Sequence, residues 1–129
     1  MISEADNSFI QNGSKNFKIV FRSKTQEHGF NYPYQIGTNG NDPQLAEESS
    51  VPVLPGDMVI LGTDGLFDNL YSISILKTIE NILENKKEDL IPDKIAEALA
   101  KVAFDLSLEE NYFSPFSMNA ILNLSLIHI

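Results

Sequence analysis

The chain has 129 residues, 43% of them hydrophobic, which is enough for one domain with its own core and too apolar for wholesale disorder. Eighteen acidic residues against nine basic ones give a net charge of −9, so a generic phosphate-backbone binder is excluded and nucleic acid is not an expected partner. There is no cysteine, hence no disulfide framework and no thiolate zinc site.

An acidic balance suits a solvated surface and divalent cations alike. No apolar run approaches the length of a membrane-spanning helix. The first residues, Met1 to Asp6, lack a signal-peptide core and an Arg-rich transit pattern.

In chain order, Ser8-Phe9-Ile10 reads as a short strand and Gln11-Asn12-Gly13-Ser14 as a hairpin turn. Phe17 to Phe21 then returns as a strand. Phe17, Ile19 and Phe21 share one face by period-2 alternation, and that face is expected to be buried. Arg22 to Gly29 reads as polar, ending in a segment, Gln26 to Gln35, dense in aromatic and hydrogen-bonding groups. His28 beside Glu27 has an acid–base or metal reading, but a lone histidine in a polar loop is more often simply exposed. Tyr32-Pro33-Tyr34 reads as packing, since proline keeps the segment extended between two rings. Gly37 to Ser50 is turn chemistry followed by solvated residues.

Val51-Pro52-Val53-Leu54 is expected to be an edge strand, because Pro52 removes a donor. Across the turn Pro55-Gly56-Asp57 it pairs with Met58 to Leu61, a run of the size of a strand buried on both faces. That strand ends at Thr63-Asp64-Gly65-Leu66-Phe67-Asp68-Asn69. Asp64 has two readings here. It caps its own backbone in an Asp-Gly turn, or it is a metal ligand held on a strand end with Gly65 turning the chain behind it. Spacing alone favours the turn.

Two helices follow. The first is predicted from Ser72 or Ser74 to Asn85, with Ile75, Leu76, Ile79, Ile82 and Leu83 in one stripe and serine as N-cap. Asn85-Lys86-Lys87 sets positive charge at its C-terminal end. The second runs from about Pro92-Asp93 to Leu106, with Ile95, Leu99, Val102, Ala103 and Leu106 inward. Both stripes read as core. Glu109 to Ser117 reads as an aromatic loop in which Pro115 excludes helix. Leu122 to Leu126 alternates, as a terminal strand would. His128 has no supporting ligand nearby in sequence.

The motif series carries a family resemblance. Gly56-Asp57, Thr63 to Asn69 and Leu70-Tyr71 resemble the central signature of the metal-dependent protein phosphatases of type 2C, in the branch found in mitochondria and plastids. Phe21-Arg22-Ser23, Gln26-Glu27-His28, Phe30 to Gln35 and Ser114 to Ser117 are similar to the same branch, and Asp6-Asn7-Ser8-Phe9 is a looser echo.

The resemblance implies an α+β fold, two antiparallel β-sheets packed as a sandwich and flanked by helices, of which this chain holds an incomplete part. It implies metal-dependent hydrolysis of phosphoserine and phosphothreonine on a phosphoprotein substrate, two Mg²⁺ or Mn²⁺ ions, and an intracellular, mitochondrial or plastid setting. Carried over by position, Asp64 is a metal ligand, with Gly65, Asp68 and Asn69 as supporting turn residues. Residues 1–117 match the C-terminal part of such a domain, and residues 118–129 form a divergent apolar tail. The resemblance places the remaining acidic metal motifs outside these residues, so the chain alone is expected to be inactive or nearly so. A non-catalytic binding or regulatory role is the rival reading. Half a sandwich leaves apolar faces uncovered and prone to association.

Overall fold

The computed structural model describes residues 2–4, 17–84 and 91–125. The elements are strands β1 (Ile2–Glu4), β2 (Phe17–Ile19), β3 (Glu27–Gly29) and β4 (Tyr32–Pro33), then helices α1 (Asp64–Phe67), α2 (Ser72–Glu84), α3 (Ile91–Ser107) and α4 (Pro115–Ser125). The class is α+β, as expected. The strands form two separate antiparallel pairs, β1 with β2 and β3 with β4. Among the described residues the core is helical, not a layer between two sheets.

That core is the α2–α3 pair plus the residue leading into α2. Leu70, Ile75, Ile79, Ile95, Leu99 and Ala103 are buried, and Leu76, Ile82, Leu83, Val102 and Leu106 pack against them. The predicted stripes are therefore the packing faces, because residues three and four apart stack on one side of a helix. Strand β2 leans on α2, and the Phe17 amide donates to Glu80 Oε1 at 3.2 Å. Phe17, Ile19 and Phe21 alternate with exposed Lys18 and Val20 as predicted, although the inward three are only half-buried and β2 stops at Ile19. Its partner is Ile2–Glu4. The expected strand Ser8-Phe9-Ile10, the turn after it, the Asn85-Lys86-Lys87 helix end and His128 lie outside the described residues.

Several expectations are corrected. The segment 27–33 is a hairpin, not a loop. Asn31 adopts φ 56°, a left-handed turn conformation that asparagine tolerates better than most side chains, and Tyr34 N–H extends the pairing to Gln26 O at 2.9 Å. Within it the His28 ring packs on Tyr32 and Tyr34, with centroids 5.1 and 4.5 Å away, and Nε2 meets Asn41 Nδ2 at 2.8 Å.

The turn at Pro55-Gly56 forms as predicted. Gly56 takes φ 98°, Asp57 N–H donates to Leu54 O at 3.0 Å, and Leu54 N–H donates to Asp57 Oδ2 at 2.8 Å. The strands on either side of it do not form. Val59 and Leu61 are 74% and 97% exposed, while Met58 and Ile60 touch the core. A strand buried on both faces needs a layer on each side, and among the described residues the face of Val59 and Leu61 has none.

Ser72 is the first residue of α2, so the amides of Ser74 and Ile75 reach the Tyr71 carbonyl, and no serine stands at the N-cap position. The predicted loop holds from Glu109 to Ser114, whereas Pro115 to Ser117 and the predicted terminal strand as far as Ser125 form α4, and Leu126 lies outside the described residues. Ser114 caps α4, its Oγ accepting from Ser117 N–H at 3.1 Å, and Pro115 occupies the first helical position, where no amide is needed. The alternation of Leu122 and Leu124 is overridden because a strand requires a pairing partner and a capped helix does not. Met118, Ile121, Leu122 and Leu124 are exposed on α4.

Candidate metal-binding turn

The stretch Gly62 to Leu70 is a single helical turn set between an exposed extended segment and the buried Leu70. Thr63 is extended at φ −85°, and its carbonyl accepts from Leu66 and Phe67 at 3.1 and 3.2 Å. Asp68 N–H closes on Asp64 O at 2.7 Å, and Leu70 N–H on Leu66 O at 2.9 Å. Gly62 faces this turn closely. A Cβ there would lie 2.7 Å from Leu66 Cδ2 and 3.2 Å from Phe67 Cε2.

Asp64 is exposed at the first position of α1, and its Oδ1 accepts from Gly65 N–H at 2.8 Å. This is the local capping expected of an Asp-Gly turn, and it engages one carboxylate oxygen. Gly65 lies in helical backbone, and its turn comes from helical closure without a positive φ. Gly65 contributes through its main chain, and its carbonyl accepts from Asn69 Nδ2 at 3.0 Å. Asp68 is half-buried one turn beyond Asp64. Burial, and then the negative charge of Asp64, raise its carboxyl above the ordinary value of 3.8.

Three contacts from the segment after α3 hold this turn. Tyr112 Oη donates to Asn69 O at 2.9 Å, Phe116 N–H to Asp68 O at 3.2 Å, and Tyr71 Oη to Phe113 O at 3.0 Å. On the other side, the Arg22 guanidinium lies over the Phe67 ring at 5.7 Å. None of these partners was foreseen. The reading of 109–117 as an aromatic loop carried no sign of what it packs on.

Asp64 and Asp68 offer hard carboxylate oxygens of the kind Mg²⁺ and Mn²⁺ take, from one helical turn and with like charges that already disfavour each other. Two carboxylates do not complete a dinuclear centre, and among the described residues no group of three or more His, Cys, Asp or Glu converges. The donor set in hand therefore does not by itself fit the ions. His28 stays on its hairpin, engaged with tyrosine rings and Asn41.

A short acidic turn anchored on a helix pair is thus the segment's chemical feature. Over 116 residues the chain is 37% identical to the protein phosphatase PTC7 homolog fig of Drosophila willistoni, covering 82% of this chain and 36% of that protein. It is 39% identical over 103 residues to the probable protein phosphatase 2C 55 of Arabidopsis thaliana (78% of this chain, 21% of that protein). It is 36% identical over 104 residues to the putative protein phosphatase 2C 24 of Oryza sativa subsp. japonica (80% and 32%). No family model and no solved structure matches the chain. The chain belongs to the type 2C protein phosphatases. It spans about a third or less of the length of these curated relatives.

Proposed function

We propose that this chain is a segment of a metal-dependent protein serine/threonine phosphatase, and that Asp64 is one of the ligands of its Mg²⁺ or Mn²⁺ centre. The observation that carries the reading is the Thr63–Asn69 turn, an exposed carboxylate on a clamped helical turn, in a chain whose relatives are named protein phosphatases. In the whole domain Asp64 would hold the ions together with ligands from other segments, and the ions would supply a nucleophile at neutral pH and offset charge on the phosphoryl oxygens. This chain's residues present and orient Asp64. The Gly65 amide fixes one of its oxygens, the Asn69 side-chain amide holds the Gly65 carbonyl, Tyr112 pins the turn to the loop after α3, and Phe116 pins it to the start of α4. The exposed faces of Val59 and Leu61 are where the remaining strands of a two-sheet sandwich would pack. The substrate is a phosphoprotein, and the compartment is mitochondrial or plastid.

The test is Mn²⁺-dependent phosphate release from a phosphoserine peptide. It is measured for this chain and for a chimera in which the chain replaces the matching third of the Drosophila willistoni relative. We expect turnover by the chimera and none by the chain alone. A folded chimera without turnover contradicts the reading.

A non-catalytic binding role is the second reading, favoured by the Asp64 carboxylate's engagement in its own turn. Calorimetric titration of the chimera with Mn²⁺ separates the two. Tight binding lost in Asp64→Asn goes against the non-catalytic role.

A further inference from the structure

Among the described residues, no hydrophobic side chain of the hairpin 27–33 or of α4 belongs to the core cluster or packs against it. The two elements meet each other instead. Phe30 stands at the hairpin turn beside Asn31 and is half-buried, whereas every other residue from 27 to 33 is exposed. Its ring lies against that of Phe116, with centroids 5.4 Å apart and planes inclined by 33°, a favourable geometry for two aromatic side chains. The hairpin that carries Phe30 is braced at its base. Asn41 Oδ1 accepts from Gln35 N–H at 2.9 Å, which leaves the Asn41 amide nitrogen to meet His28 Nε2 at 2.8 Å, and Asn41 N–H donates to Gln35 O at 2.6 Å.

The far side of this contact is the signature turn. The start of a helix leaves amides without an intrahelical partner. In α4, Pro115 has no amide hydrogen, Ser117 N–H reaches Ser114 Oγ at 3.1 Å, and Phe116 N–H leaves the helix for Asp68 O at 3.2 Å. The backbone bond from α4 to the signature turn thus comes from the residue whose ring Phe30 holds. Asp68 N–H in turn closes on Asp64 O at 2.7 Å. A contact that lies off the core adds little to global stability. What it fixes is the place of the first turn of α4 and, through Phe116, the Asp68 end of the turn that presents Asp64.

We propose that Phe30 is a positioning residue for Asp64, acting from the β3–β4 hairpin through the Phe116 ring and the bond from the Phe116 amide to the Asp68 carbonyl. That the turn so held belongs to a catalytic centre rests on the phosphatase reading; that Phe30 holds it does not.

Hydrogen exchange in the intact chain, followed by NMR, reads this support without metal or turnover. In Phe30→Ala the amides of Phe116 and Asp68 are expected to exchange about tenfold faster, while those of Ile79 on α2 and Leu99 on α3 keep their rates. Phe30→Tyr keeps the ring and is expected to restore the protection. In the chimera, Phe30→Ala is expected to raise the Mn²⁺ concentration for half-maximal phosphate release severalfold and to leave the KM for the phosphoserine peptide unchanged. Val102→Ala, which thins the core, serves as the control: it lowers the melting temperature and leaves the Mn²⁺ requirement where it was. Wild-type exchange of Phe116 and Asp68 in Phe30→Ala overturns the proposal. So does an active chimera whose Mn²⁺ requirement Phe30→Ala leaves unmoved, or one in which Val102→Ala moves it as far. A folded chimera that hydrolyses nothing sinks the phosphatase reading, and the exchange rates then decide whether Phe30 holds the turn.

Discussion

Tyr112 donates its phenolic hydrogen to the carbonyl of Asn69 at 2.9 Å, from 43 residues further along the chain. The bond ties the loop after α3 to the last residue of the signature turn. A half-buried hydrogen bond of this kind stabilises by about 1 kcal/mol net. Tyr112→Phe keeps the ring and removes the donor, so a loss of that size is expected in a urea melt. Tyr71→Phe, whose bond to the Phe113 carbonyl is exposed, is expected to cost less. Equal stability of Tyr112→Phe and wild type would show that the clamp contributes nothing.

The same phenol gives a pH dependence. Burial, and secondarily Tyr71, raise Tyr112 above its ordinary value of 10.0. A group whose folded pKa is raised contributes stability that is complete below the unfolded pKa and lost as pH rises through the folded one. Stability is therefore expected to decline above about pH 10, and Tyr112→Phe is expected to flatten the decline. Urea midpoints for the two proteins across that range check it. Parallel curves contradict the assignment.

Asp68 follows the same sign at the acid end. Its carboxyl is raised by burial first and by the charge of Asp64 second. Its contribution is present below the unfolded value, near 3.8, and is lost as pH rises through the folded pKa. Asp64→Asn removes the second cause and leaves the larger one. The Asp68 midpoint, followed by carboxyl carbon NMR, is expected to fall towards the ordinary value without reaching it. An unmoved midpoint would mean that the two carboxylates do not sense each other.

The helical half of the fold was legible because it is local. Ile75 and Ile79 on α2, and Ile95, Leu99 and Ala103 on α3, declare their face by spacing alone, and those residues are the core. The strand readings fared worse because a strand takes its identity from its neighbours. Met58 to Leu61 has a strand's composition, yet Val59 and Leu61 stand in solvent. Asp64 shows the same division. Its Asp-Gly turn was readable from two residues, whereas Tyr112, Phe116 and Arg22, which hold the turn, come from segments 40 or more residues away and left no mark in its sequence.

The end of the chain offers a sharp test of local against pattern signals. Ser114 Oγ caps α4 through Ser117 N–H at 3.1 Å, and the cap prevails over the leucine alternation. Ser114→Ala is expected to destabilise α4 by about 1 kcal/mol and lower helicity by circular dichroism, while Ser114→Asp preserves it. Unchanged helicity in Ser114→Ala would place the start of α4 under the control of Pro115 alone.

The central claim is that Asp64 ligates the catalytic metal of a phosphatase. The direct measurement is Mn²⁺-dependent phosphate release by the chimera and by its Asp64→Asn form, with both proteins shown to be folded. Loss of a ligand is expected to lower the rate by at least about tenfold and to raise the Mn²⁺ concentration needed for half-maximal activity. A chimera that hydrolyses phosphoserine equally well with aspartate or asparagine at position 64 would contradict the claim and return Asp64 to a simple turn residue.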